Sequence, residues 1–183
     1  MKKLNTKLKR TEDESYKLFC SLKTGHDVAD LLEIPYGQLL FLLYKQPDQK
    51  KYISFQIPKK SGGFRTIKKP CKGINIIQKK LKPFFDKSYR IKAPVHGFVK
   101  GKSIVTNAAQ HKRQRFILNL DLEDFYGTIN FGRVRGLLIS KPFNIAPKAA
   151  SVIAQTLCFQ NKLPQGACTS PVISNLIAAA RRF

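Results

Sequence analysis

Three short strings in this sequence carry residue types suited to handling a hard cation and a phosphate. The first is FILNLDLEDFYGTI, residues 116–129. Read as a strand running into a turn, it sets Leu118, Leu120 and Leu122 on one face and Asn119 and Asp121 on the other. A carboxylate in so apolar a strand is costly unless it is paired or binds a cation. At a strand end over an open cleft it suits Mg2+, which takes hard oxygen ligands. An ordinary salt-bridged aspartate fits the same local pattern, so this string alone leaves both readings open. Asp124 follows on the turn.

The second string is LPQGACTSP, residues 163–171. A Gln-Gly turn running into a helix N-terminus offers free backbone N–H groups and a positive dipole end to phosphates or bases. The amide of Gln165 can both donate and accept. The third is IPKKSGGFR, residues 57–65. Lys59, Lys60 and Arg65 sit on a glycine-tipped hairpin that can fold over a triphosphate and neutralise it. Taken singly, a basic hairpin tip is more often just solvated, and QG followed by SP occurs by chance in loops.

Charge frames these strings. There are 34 Lys+Arg against 11 Asp+Glu, a formal net charge of +23. Residues 51–115 hold 18 of the cations and a single acid, Asp86. So lopsided a field favours a polyanion, because each neutralised phosphate releases condensed counterions. A basic face kept for solubility is the bland alternative, and charge does not separate an enzyme from a passive RNA binder. The four cysteines, Cys20, Cys71, Cys158 and Cys168, form no CxxC pair. Three scattered histidines do not complete a zinc site with them, and reduced thiols in a cytoplasm are the simplest expectation. No apolar run reaches the roughly 18 residues that span a membrane. The basic start, MKKLNTKLKR, runs into TEDESYK rather than an apolar region, so no secretory signal is expected.

The elements that must position the strings follow from periodicity. Residues 1–20 read as a loosely held arm or an extra helix. DVADLLEIPYGQLLFLLYK reads as two short helices broken at Pro35, with Val28, Leu31 and Leu32 on one apolar face and Leu39, Leu40 and Leu43 on the other. The pair resembles a helix-turn-helix, but its second helix is too apolar to read bases, so a packed helical lead-in is expected. KYISFQIP alternates, Ile53, Phe55 and Ile57 against Tyr52, Ser54 and Gln56, and pairs with FRTIKKP across the KKSGG turn. GINIIQKKLKPFF reads as a helix with Ile74, Ile77, Leu81 and Phe84 on one stripe and Gln78, Lys79 and Lys82 facing away. Ser103 can cap SIVTNAAQHKRQ, Asn130 can cap FGRVRGLLIS, and APKAASVIAQTLCF begins near Pro147. Ser170 as cap and Pro171 at the first helical position open PVISNLIAAARRF. Mixed strands and helices indicate an α+β layer fold.

In this order and spacing the three strings resemble the fingers hairpin, motif A and motif B of a reverse transcriptase, from about Asp27 to the last residue. The closest similarity is to the retron type of bacterial reverse transcriptase. SIVTNAAQH contains Asn107-Ala108-x-x-His111, the Asn-Ala-x-x-His signature of that type, and HGFVKGKSI and LPQGACTSPVISNL look alike too. Asn107 and His111, four apart, are expected to share a helix face; on residue type alone His111 is a surface histidine. The resemblance implies that this face, with Lys112, Arg113 and Arg115, serves RNA recognition.

It further implies an α+β right-hand polymerase, with residues 1–50 as a helical N-terminal lead-in and 51–183 as reverse transcriptase fingers and partial palm. Asp121 would be the first metal-binding and catalytic aspartate, and the Leu122 carbonyl a backbone metal ligand. Two Mg2+ ions are expected in the complete enzyme. Lys59, Lys60, Arg65, Asp124, Phe125, Tyr126, Gln165 and Gly166 would meet the nucleotide, Tyr126 as the steric gate against a ribose 2′-hydroxyl. The implied activity is RNA-directed DNA polymerisation, a nucleotidyl transfer, on a cognate structured non-coding RNA that serves as template and primer. Its substrates would be deoxynucleoside triphosphates and its setting antiphage defence in the cytoplasm, with an effector protein as a further candidate partner.

The sequence departs from the family in one large respect. The Tyr-x-Asp-Asp motif, which supplies the other two metal carboxylates, does not occur in the 183 residues, and neither does a thumb. Outside the Asp121–Asp124 string, the only acidic cluster, Glu12-Asp13-Glu14, lies in the N-terminal stretch. Two-metal phosphoryl transfer needs carboxylates enough to hold both ions about 4 Å apart, so this chain is expected to be inactive alone. Two other readings stay open: a different bacterial reverse transcriptase, such as a group II intron maturase or another defence-associated enzyme, and a non-catalytic RNA-binding remnant.

Overall fold

Thr11 opens the first helix with a reciprocal cap: its Oγ1 accepts the Glu14 N–H at 3.3 Å while the Glu14 carboxylate accepts the Thr11 N–H at 3.0 Å. The resulting α1, Glu12–Cys20, buries Phe19. The N-terminal stretch is therefore a helix tied to the core. The structure, a computed structural model, describes residues 4–59, 62–90 and 92–180.

The lead-in continues as α2, Gly25–Leu31, and α3, Tyr36–Leu40, separated at Pro35 as expected. Val28, Leu31 and Leu32 are all buried. After α3 the backbone widens into a π-helical turn, Phe41–Lys45, closed by Gln46 N–H on Phe41 C=O at 2.8 Å. An i→i+5 turn shifts the phase of the apolar stripe. Leu42 is thereby buried beside Leu39 and Leu43, while Leu40 is only half-buried.

A short α4, Asp48–Lys51, leads into the hairpin. Strands β1, Tyr52–Pro58, and β2, Phe64–Pro70, pair antiparallel in a register that sets Tyr52 opposite Pro70 and Pro58 opposite Phe64. Only Tyr52 of β1 is buried; Ile53, Phe55 and Ile57 all face solvent.

Helix α5, Lys72–Ser88, buries Ile74, Ile77, Leu81 and Phe84 as the spacing predicts. Gln78 does not face away. It is fully buried, and its amide donates to Tyr52 Oη at 2.9 Å and to Thr156 C=O at 2.8 Å. A polar residue beside an apolar stripe looks outward until a partner on another element accepts it. Lys80 is buried as well, donating to Leu32 C=O at 2.5 Å.

The core closes with α8, Phe131–Ile139, capped by Asn130, and α9, Pro147–Leu157. Helix α10, Ser170–Ala180, follows, and one apolar cluster runs from Phe19 to Ile177. The Ser170 hydroxyl donates to Pro164 C=O at 2.7 Å instead of capping. Between α5 and α8 lie α6, Ile104–Ala109, and α7, Phe125–Thr128.

Two expectations fail in this stretch. Residues 116–122 form no strand: among the described residues the single sheet has two strands, β1 and β2. Leu118 and Leu120 are 80% and 83% exposed. Alternation decides which side chains share a face, but a strand also needs a neighbour for its N–H and C=O groups, and no described segment pairs with this one. Helix α6 is also shorter than its sequence suggests, ending before His111. Ile104 and Val105 are exposed, and a short helix that buries no apolar face has little to prolong it.

Candidate functional site

The site is organised by a tight turn that sequence reasoning missed. Phe159 and Lys162 exchange backbone hydrogen bonds of 2.8 and 3.0 Å, with Gln160 and Asn161 both at positive φ. Two central residues at positive φ make the two-residue turn that matches strand twist, and asparagine tolerates that conformation. The dipeptide Gln-Asn between Phe159 and Lys162 was the available signal. Each turn residue reaches a different element. Gln160 Oε1 accepts Lys68 Nζ of β2 at 2.8 Å. Asn161 Oδ1 accepts the N–H of Phe131, the first residue of α8, at 3.2 Å. Lys162 Nζ lies 3.8 Å from Asp124 Oδ2, and the adjacent Leu163 N–H donates to Ile129 C=O at 2.9 Å.

The next residues carry the Gln-Gly turn to the hairpin. Gln165 C=O accepts the Lys68 backbone N–H at 2.7 Å. Gly166, at φ +121°, passes so close to β2 that a Cβ there would lie 2.8 Å from Ile67 Cγ2 and 3.0 Å from Lys68 C=O. Lys68 also lies over the Phe159 ring, 5.1 Å from its centroid. At the hairpin tip, Lys59 N–H donates to Gly63 C=O at 3.0 Å, and Gly62 and Gly63 take positive φ. Arg65 sits on the strand that receives Gln165 and is exposed. Lys60 lies outside the described residues.

Asp124 adopts left-handed backbone, φ 41°, at the start of α7. Its carboxylate folds over Gly127, where a Cβ would overlap it. Phe125 and Tyr126 are half-buried against the core with ring centroids 6.1 Å apart. The turn at 159–162 thus brings Asp124, Gln165 and Gly166, and strand β2 into one neighbourhood.

Asp121 and Leu122 are exposed on the irregular segment that leads into Asp124. Their carboxylate and carbonyl are hard oxygens of the kind Mg2+ takes, but two donors fall short of the near-octahedral set the ion demands. No group of three or more His, Cys, Asp or Glu side chains able to hold a metal occurs among the described residues.

Asn107 and His111 do not share a helix face. Asn107 lies on α6, while His111 falls in the turn beyond it, its N–H donating to Ala108 C=O at 3.0 Å. Arg113 at φ 61° turns the chain again, and the whole of 103–115 is exposed. This segment is anchored by His96, whose Nδ1 lies 2.9 Å from Thr106 Oγ1. The loop that carries His96 is held to α10 by Asn175, which donates to Gly97 C=O at 3.1 Å. Partial burial pushes the His96 pKa down, and the nearby charges of Lys102 and His111 push the same way.

The profile of the family Reverse transcriptase (RNA-dependent DNA polymerase) matches residues 57–180. The chain is 31% identical to the retron Mx65 reverse transcriptase of Myxococcus xanthus, over 85% of this chain and 40% of the relative. It is 32% identical to the retron Ec86 reverse transcriptase of Escherichia coli, over 84% of this chain and 48% of the relative. It spans less than half the length of either. The chain belongs to the reverse transcriptase family and, within it, to the retron type.

Proposed function

We propose that these residues form the fingers and the first part of the palm of an RNA-directed DNA polymerase that copies a cognate structured non-coding RNA. Residues 1–50 serve as the helical lead-in and 51–183 as the polymerase portion. What supports this reading is the Gln165–Lys68 hydrogen bond, which joins the basic hairpin to the loop that opens α10. A triphosphate seated there would meet Lys59, Lys60 and Arg65 from the hairpin and the Gln165 amide from the loop, with Asp124, Phe125 and Tyr126 alongside. Neutralising and aligning phosphates is most of what a protein contributes to phosphoryl transfer. The Tyr126 ring would exclude a 2′-hydroxyl and so select deoxynucleotides.

Asp121 and the Leu122 carbonyl would hold Mg2+ together with carboxylates from a Tyr-x-Asp-Asp motif. That ion would stabilise charge on the transferring phosphoryl group. With one such aspartate the 183-residue chain binds RNA without extending a primer. The template and primer are the structured RNA, the setting is antiphage defence in the cytoplasm, and an effector protein is a further partner. Cys20, Cys71, Cys158 and Cys168 are all free thiols. No described helix is long and apolar enough to cross a membrane.

The test uses an enzyme that joins these 183 residues to a Tyr-x-Asp-Asp hairpin and thumb. Primer extension on RNA with Mg2+ is expected, its abolition by Asp121→Asn, and ribonucleotide incorporation by Tyr126→Ala. Extension that survives Asp121→Asn would remove Asp121 from the metal site. Extension by the 183-residue chain alone would show that the metal site needs no further carboxylates, and RNA binding with no extension by the joined enzyme would favour the RNA-binding remnant.

A further inference from the structure

The cleft between the N-terminal segment and α5 uses none of the residues just described. It has a volume of about 510 Å³, within the range of small-molecule sites. Five cations line it, Lys7, Arg10, Lys79, Lys80 and Lys87, against one acid, Glu12. Two of the five are matched: Arg10 pairs with Asp30 at 2.9 Å and Lys87 with Asp13 at 3.0 Å. Lys7 and Lys79 form no ion pair among the described residues and are exposed.

Two buried polar groups in the cleft separate it from an ordinary solvated basic face. Ser15 is 2% exposed, and its Oγ has no hydrogen-bond partner among the described residues. An unpartnered buried hydroxyl is costly, and an incoming acceptor would relieve it. Lys80, 3% exposed, spends one N–H on Leu32 C=O. The Glu33 charge acts on it without a hydrogen bond, its carboxylate accepting the backbone N–H groups of Lys9 and Arg10 at 2.8 to 3.1 Å. A buried ammonium with donors to spare, beside an orphan hydroxyl and two unmatched lysines, fits a ligand with several negative oxygens. The remaining wall includes Tyr16 and Phe84, which would lie against a sugar or base.

We propose that this cleft is a second anion site that binds a nucleoside phosphate, its phosphate held by Lys7, Lys79, Lys80 and the Ser15 hydroxyl. The ligand can be a free nucleotide or one nucleotide of an RNA strand; the recognised chemistry is the same. The proposal holds whether or not the hairpin site copies RNA.

Lysine acetylation of the 183-residue chain, mapped by mass spectrometry with ATP, a short RNA oligonucleotide or adenosine present, resolves the site from the hairpin. Lys7 and Lys79 should be acetylated several-fold more slowly with ATP or RNA than with adenosine, which lacks phosphate. Protection by ATP identifies a free nucleotide as sufficient; protection by RNA alone identifies a strand phosphate. Replacing both residues with Gln removes two charge-assisted contacts and should weaken binding of the protecting probe at this cleft by about tenfold. That weakening is read from protection of Lys87, with the far-ultraviolet circular dichroism unchanged. Equal rates at Lys7 and Lys79 with all three probes, or protection confined to Lys59 and Lys69 of the hairpin, would overturn the proposal.

Discussion

The carbonyl of Gln165 and the backbone N–H of Lys68 meet at 2.7 Å, so the loop before α10 is hydrogen-bonded to β2. Both strands of the hairpin are otherwise exposed over most of their length. This bond and the Lys68–Gln160 bond at 2.8 Å therefore fix where the basic tip lies relative to α10.

Gly166→Ala should break that arrangement. The backbone at φ +121° is one that L side chains rarely adopt, and the added methyl would collide with Ile67 and the Lys68 carbonyl. Strain of this kind costs about 1–3 kcal/mol. A urea midpoint lowered accordingly, with faster amide exchange at Lys68, is the expected result. An unchanged midpoint and unchanged exchange would mean that the loop does not hold the hairpin.

Gln78→Leu tests the buried amide that ties α5 to β1 and α9. The leucine fits the apolar surroundings but leaves the Tyr52 hydroxyl and the Thr156 carbonyl without the donor they share. Each buried group so orphaned costs about 1–3 kcal/mol. Equilibrium unfolding should show a loss of that order, and Tyr52→Phe in the same background should recover part of it.

The contrast between Gln78 and its neighbours explains what was legible in the sequence. Ile74, Ile77, Leu81 and Phe84 announce themselves because 3.6-residue spacing is local and burial follows it. Gln78 is buried by partners on other elements, which no local pattern reports. The same division runs through the candidate site. Motif order was readable from Lys59 to Gly166, whereas the link between them depends on the turn at 159–162, whose residues each contact a different element. For residues 116–122 the alternation was real and the neighbouring strand is missing from the described residues. Leu40 was expected on the apolar face, and Leu42 is buried there instead, because a π-helical turn changes the period.

His96 should titrate below the ordinary histidine value of 6.5. Desolvation is the largest cause, followed by the charges of Lys102 and His111. With the folded-state pKa depressed, the unfolded chain takes up the proton first as pH falls. The stabilisation due to neutral His96 is then complete above the unfolded value and is lost as pH drops through 6.5 toward the folded value. Nuclear magnetic resonance titration of the imidazole checks this, and Lys102→Ala should move the His96 pKa back up. Insensitivity to that substitution would leave the shift to burial and the His111 charge.

Asn107 and His111 stand on an exposed segment, and the proposal that it contacts RNA rests on that exposure as well as on family resemblance. The amide and imidazole offer directional hydrogen bonds to bases or 2′-hydroxyls, while Lys112, Arg113 and Arg115 offer charge to the phosphate backbone. Neither side chain is buried, so replacing both with Ala should leave the unfolding midpoint unchanged. The expected loss is in preference for the cognate structured RNA over a scrambled RNA of equal length. Affinity for the scrambled RNA should persist and weaken steeply from ~50 to ~200 mM salt, as counterion release requires. Competition binding measures both quantities. Equal losses for the two RNAs would show that the pair shapes the segment and does not read the RNA, and no loss for either would leave recognition to the cations alone.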